Sequence, residues 1–429
     1  MRLSLRNSYM STTTFRLPQE LVDHVIDHLY NDYETLRACS RVAQAWLPTS
    51  RYHLFAKVCL QAWTGHGVTQ FPSGRCKELL SVIESAPEIA GYIRELEICE
   101  GAPMHIRHPE LQSATWVTSE PALLSIFKRL KNLRHLEISS ASIFYWRTLP
   151  AAFQNALCSL LATSSSLTYL KLHSWCFPNY TSLAVLLSHC KNLKGLSLSS
   201  TTVEDDDLAE HRLGCVIEEW DGCDVIPSSK LEVLTLDHVT FGYLDYWLFG
   251  ETPMVDVSSL RELRVSHFSD LHVIEKLLLA VSGSLEHLHL KPGQWRVRPL
   301  DLSHSTCLRS VRLTLEEADT ALEWAIELLC CIKSSASCII ERVALEFFID
   351  PNKLDGWEHL QSLLSESEFS SLKQVEIGLF ASPTRAGFIR AETQLAGLKD
   401  RAELRLYHLG LKSQRSKRQL SPRISRYEN

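Results

Sequence analysis

One short pattern governs what this chain can fold into: apolar-x-x-apolar-x-apolar, met ten times from Ile93 to Ile377. The copies are Ile93/Leu96/Ile98, Leu133/Leu136/Ile138, Leu167/Leu170/Leu172, Leu193/Leu196/Leu198 and Leu231/Leu234/Leu236. They continue as Leu260/Leu263/Val265, Leu285/Leu288/Leu290, Leu308/Val311/Leu313, Ile340/Val343/Leu345 and Leu372/Val375/Ile377, with a frayed eleventh at Leu404/Leu406. The last two positions of each copy are two residues apart, so in a strand they point to one face. Between copies, apolar residues at three- and four-residue steps predict helices over 121–130, 151–162, 182–190, 271–281, 321–332 and 356–364. A strand and its covering helix cannot stand alone. Stacked in chain order, such units bury one another and build a solenoid. The expected fold class is α/β, with parallel strands on the concave face and helices on the convex face.

The repeat region, 93–410, resembles an irregular leucine-rich repeat array. Its copies stand roughly 23 to 40 residues apart, against the 20–29 of regular repeats. It departs from that family at the Asn or Cys ladder, three residues past the last strand leucine. Ala141, Trp175, Thr201, Val239, Phe268 and Gly293 stand there instead. The turns must then satisfy their backbone groups by other means, so irregular turns and uneven curvature are expected. A general α/β domain with a parallel sheet is the other arrangement the pattern allows.

The stretch 17–55 is helical in pattern. Pro18 suits the first turn of a helix, and Leu21, Val25, Ile26 and Leu29 recur as one apolar stripe. Asn31-Asp32 offers a turn or an N-cap. A second helix is predicted through Leu36, Cys39, Val42 and Trp46, ended by Pro48, and a third from Tyr52 to about Trp63. Another amphipathic helix is predicted over 77–90, broken near Pro87. The Leu17-Pro18-x-Glu20-Leu21 start, Ile26, Leu29, Leu36, Ser40-x-Val42-x-x-x-Trp46 and the closing Leu54-Phe55 resemble an F-box. The Arg37-Ala38-Cys39-Ser40 segment and the Ser50–Phe55 end are similar to F-box proteins of mushroom-type (basidiomycete) fungi. Gln44 stands where that family often has a basic residue.

The resemblance implies three helices docking a Skp-type adaptor, which links the chain to a cullin-RING ubiquitin ligase. It places Leu17, Pro18, Leu21, Val25, Ile26, Leu29, Leu36, Val42 and Trp46 at that interface. The chain is then a non-catalytic, substrate-recognition subunit. Two other readings stay open: a repeat-protein scaffold acting outside a ligase, and a helical hairpin that merely caps the first repeat. Exposure of the Leu21/Ile26 face favours docking; its burial against Ile93 and Leu96 favours a cap.

The expected organisation is a leader over 1–14, the F-box over 15–62, a helical linker over 63–92, the array with an acidic insertion at about 204–230, and a basic tail over 411–429. The leader and tail are expected to be disordered, and the tail's charge also suits a nuclear-import signal. An apolar fraction of 45% and a charged fraction of 22% are those of a globular protein. A net charge of -6 argues against bulk attraction to nucleic acid or anionic membrane. Thirteen scattered cysteines point to reduced thiols in the cytoplasm, the nucleus or both. His211, Cys215 and Cys223 fit no zinc spacing, and neither a metal nor a cofactor is expected. No phosphate loop, nucleophile elbow or His-Glu-x-x-His sequence occurs. On the face opposite the apolar positions, Arg264, His287, His289, Lys291, Arg312 and Arg342 predict a locally basic groove. Such a groove suits an acidic or phosphorylated segment of a target protein.

Overall fold

Every copy of the motif becomes a strand. The computed structural model describes residues 17–61, 63–65, 68–70, 72–100, 116–204, 229–239, 244–249, 255–268, 271–293, 298, 300–316, 320–333, 339–348, 354–380 and 386–409. The leader, the tail and nearly all of the acidic insertion lie outside them. Helices α1 (Gln19–Asp27), α2 (Tyr33–Val42) and α3 (Leu47–Ala56) come first. Strand β1 (Lys57–Leu60), the antiparallel hairpin β2 (Trp63–Gly65) and β3 (Val68–Gln70), and helices α4 (Pro72–Ser85) and α5 (Glu88–Tyr92) follow.

The motif copies then form β4 (Glu95–Glu100), β5 (His135–Tyr145), β6 (Tyr169–Phe177) and β7 (Gly195–Ser199). After β8 (Thr202–Val203) come β9 (Val233–Asp237), β10 (Glu262–Phe268), β11 (His287–Pro292), β12 (Ser310–Glu316), β13 (Arg342–Phe348), β14 (Gln374–Phe380) and β15 (Glu403–Leu409). The intervening helices are α6 (Trp116–Ser119), α7 (Pro121–Phe127), α8 (Ala151–Thr163), α9 (Tyr180–Ser188), α10 (Leu244–Phe249), α11 (Leu271–Ala280), α12 (Ala321–Lys333), α13 (Trp357–Leu364) and α14 (Ala386–Gln394). All six helices predicted between strands are present. The short α6 and α10 and the late α14 were not predicted.

The strands form one 13-stranded sheet in chain order, with β8 beside β6. Its main pairings are all parallel, and their register aligns the motif. Val58, Leu96, Leu136, Leu170, Leu196, Leu234, Leu263, Leu288, Val311, Val343, Val375 and Leu404 form one continuous row. From Leu96 to Val375 that row is buried, in one core with Leu157, Leu160, Ile274, Leu277 and Leu328 from the helices. Each buried leucine contributes roughly 1.5–3 kcal/mol. On the other face Glu97, Glu137, Lys171, Arg264, Arg312 and Glu376 are half-buried. A parallel sheet covered on both sides is apolar on both; among the described residues this one is covered by helices on one side only.

The array starts earlier than expected. Residues 57–60 are a strand, not the end of a helix, and pair with β4 through Val58↔Leu96 and Leu60↔Ile98. The predicted linker is therefore the return path of the first unit. The helix predicted to run to Pro48 stops at Val42, because Ala43 is extended (φ -155). Pro48 instead lies in the first turn of α3, where its missing N–H leaves nothing unpaired. The helix predicted over 77–90 starts earlier, at Pro72, and its expected break near Pro87 separates α4 from α5.

The absent Asn ladder has a structural replacement. Ser174, Ser200, His238 and His267, each two residues past the last motif apolar, adopt left-handed backbone (φ 60, 49, 51 and 55). Such a residue flips the alternation, as in a bulge. The next side chain then turns inward: Trp175, Thr201 and Phe268 are buried, and Val239 packs on the core. The indole N–H of Trp175 donates to the Ile138 carbonyl at 3.2 Å, satisfying a backbone group in the preceding strand. Strands β12 to β14 lack the flip and continue straight, burying Leu315, Phe347 and Leu379.

Glu100 closes β4 from inside. Its carboxylate accepts the Trp116 and Val117 N–H groups at 3.0 and 2.7 Å. Burial outweighs those bonds and pushes its pKa up from 4.5 to about 7. The folded state therefore holds the proton more tightly than the unfolded chain. Stability from this group is full below pH 4.5 and is lost as pH rises through about 7. Between pH 5 and 8 the wild-type melting temperature is expected to fall more steeply than that of Glu100→Gln. The difference should correspond to at most about 3 kcal/mol, and parallel pH profiles would refute it.

Candidate binding surfaces

Helix α1 carries three stripes, and its neighbours decide which one faces outward. Gln19 donates to Asp23 and to the Ala45 carbonyl, both at 2.8 Å; Thr49 donates to Asp23, and His53 meets Asp27 at 2.7 Å. These contacts tie the Gln19/Asp23/Asp27 stripe to α3 and the turn before it. Val22 and Ile26 point at Leu36 of α2 and form a small core with it, flanked by Leu29, Trp46 and Leu54. Asp32 caps α2, accepting the Thr35 N–H and hydroxyl at 3.0 and 2.6 Å, and these bonds hold its carboxyl below the usual range. The third stripe, Leu21 and Val25, is left outward.

The sequence-predicted interface therefore divides. Leu17, Leu21, Val25 and Val42 are 65, 52, 59 and 64% exposed, and Pro18 is exposed beside them. Ile26 and Leu36 are not surface residues: they are 1% and 0% exposed and hold the helices together. Leu29 and Trp46 are half-buried against them. Sequence reading passed over Tyr30 and Tyr33, which are also exposed in this region. Ile26 packs within its own helical unit, whereas Ile93 and Leu96 belong to the main core. Helix α3 does abut the array: Tyr52 lies 6.0 Å from Tyr92, Arg94 sits over the Tyr52 ring, and Arg51 pairs with Glu88 at 3.7 Å. One helix thus anchors the unit while α1 keeps an apolar stripe outward.

The second surface is the uncovered sheet face. The six basic residues singled out in the sequence do come together there. Arg264, His289 and Arg312 stand side by side, as do His287, Ser310 and Arg342 in the adjoining row, with Lys291 beyond. Acids interleave with them, along one strand and across neighbouring ones, so the described face carries both signs. Arg264 pairs with Glu262 at 2.5 Å, Lys291 with Glu316 at 2.8 Å, and Arg312 with Glu346 and Glu376 at 2.8 and 3.5 Å. Arg342 donates to Gln374 at 2.8 Å. Burial, then Arg312 and Arg264, push the His289 imidazole down to about 3, so it is neutral and bonds Thr314 at 3.0 Å. At the strand starts lies a cleft of about 630 Å³, lined by Glu286, His287, Arg309, Ser310, Glu341, Arg342, Lys373 and Gln374. It too is mixed in sign, Glu341 bridging Arg309 and Lys373 at 3.0 Å each.

Among the described residues no helix is long and apolar enough to cross a membrane. No protein-family model matches the chain, and no curated protein matches it either.

Proposed function

We propose that the chain is a two-ended adaptor, the substrate-recognition subunit of a Skp-cullin-F-box type ubiquitin ligase. In this reading α1 to α3 are an F-box docking a Skp-type adaptor, and the parallel array is leucine-rich-repeat-like and holds a target protein. Ubiquitin transfer is done by the partners, and this chain accelerates it by proximity, in the cytoplasm or nucleus. The observation that carries the reading is the outward Leu21/Val25 stripe on a helix whose other faces are already satisfied. An acidic or phosphorylated target segment would have to displace Glu262 from Arg264 and Glu346 from Arg312, so a target that pairs with both signs fits the sheet face better.

Co-expression with a Skp-type adaptor, followed by size-exclusion chromatography, tests the docking half. A one-to-one complex is expected, and Leu21→Asp/Val25→Asp should weaken it at least about 100-fold by placing charge on an apolar contact. The melting temperature of the free chain should not change. A complex that survives both substitutions would sink the assignment of this stripe; no complex from the folded wild-type chain would sink the adaptor reading itself.

A further inference from the structure

Two histidines from neighbouring units stack where β9 and β10 run out. His238 and His267 occupy equivalent left-handed turn positions, with ring centroids 3.5 Å apart and planes within 13°. Asp237 Oδ1 is 2.8 Å from His267 Nδ1. Each of Asp237, His238 and His267 offers a ligand atom, and these atoms all lie within 4.8 Å of one another. Glu316 adds negative charge 4.0 Å from His267 Nε2, and its other oxygen is held by Lys291 at 2.8 Å.

The chemistry of this group points one way. Two imidazoles and one carboxylate from neighbouring turns converge here, each with a ligand atom to offer. A neutral imidazole presents a nitrogen lone pair, and two such nitrogens with one carboxylate suit a borderline first-row ion rather than Ca²⁺ or Mg²⁺. The separation 237, 238, 267 matches no ligand spacing in sequence. The residues meet only because Asp237 stands beside Ser266 in the sheet register.

We propose that Asp237, His238 and His267 bind one divalent transition-metal ion of the zinc class, with water completing its coordination. The ion joins two adjacent units at their turns, on surface distinct from the α1 stripe, so this site stands or falls independently of the adaptor reading.

Zn²⁺ titration of the full chain by calorimetry at pH 7.5 tests it, alongside Asp237→Asn, His267→Gln and His238→Ala/His267→Ala. One equivalent is expected to bind the wild-type chain. Affinity should fall at least about tenfold in each single variant, and the equivalent should disappear in the double variant. The metal-free melting temperature of each variant reports whether it folds, and the near-isosteric Asp237→Asn keeps the test open should the double variant not. Thiols elsewhere also bind Zn²⁺, so Co²⁺ is the second probe: visible bands without thiolate charge transfer are expected from the wild-type chain and not from the double variant. Equal Zn²⁺ affinity and stoichiometry in all chains, or a Co²⁺ spectrum carried only by thiolate, would overturn the site.

Discussion

Trp175→Ala is expected to destabilise the protein by about 3–5 kcal/mol, the range for emptying a large aromatic site. Trp175 is fully buried and stacks on Phe177 (5.9 Å, 16°), with Phe144 and Trp146 at 5.3 and 6.1 Å. Alanine removes those contacts and also the indole's hydrogen bond to the Ile138 carbonyl. Trp175→Phe separates the two effects: it refills much of the volume and loses only that hydrogen bond, at about 0.5–1.5 kcal/mol. Thermal unfolding of both variants gives the comparison. A loss below about 1 kcal/mol for alanine would mean that the turn at Ser174 relaxes to close the cavity, and that the inward Trp is not what fixes it.

Ile26→Asp should behave quite unlike Leu21→Asp, although both residues are apolar and only five positions apart on one helix. At Ile26 a carboxylate would be forced between Val22 and Leu36 with no cation beside it in that cluster, at a cost of several kcal/mol. Amide exchange should then lose protection across α1 and α2 while the strands from β4 onward keep theirs. Leu21→Asp adds a charge to a solvated face and should shift stability by no more than about 0.5 kcal/mol. Similar losses of protection in the two variants would show that α1 is not seated as described. The contrast also explains why Val25, not Ile26, accompanies Leu21 in the docking test.

The sheet was largely legible from sequence because its grammar is local. Three apolar positions at fixed spacing mark each strand from β4 to β14 except the two-residue β8, and helical periodicity fills the gaps between them. Strand β1 escaped although Phe55/Val58/Leu60 fits the motif, because Leu54, Phe55, Val58 and Cys59 read equally well as one helical face. In α1, Leu21/Val25 and Val22/Ile26 are both i, i+4 pairs, so spacing does not reveal which pair is buried. The hydrogen bonds from Thr49 and His53 decide it, and they come from α3. The charge character of the open face was illegible in the same way. Arg312 looks unpaired along its own strand, while Glu346 and Glu376 lie one and two strands further on.

The strict chain order of the strands has a further, kinetic consequence. Among the described residues each strand of the sheet pairs with near neighbours in the chain, apart from the steps over the β2–β3 hairpin and over β8, so no long-range pairing must form before the structure can grow. Folding can start at any well-packed pair and advance outward, and loss of structure retreats from the ends. Among the described residues the last strand, β15, has a partner on one side only and keeps Leu404 and Leu406 half-buried. It is therefore the first place where the array opens, well before the centre around Trp175 gives way.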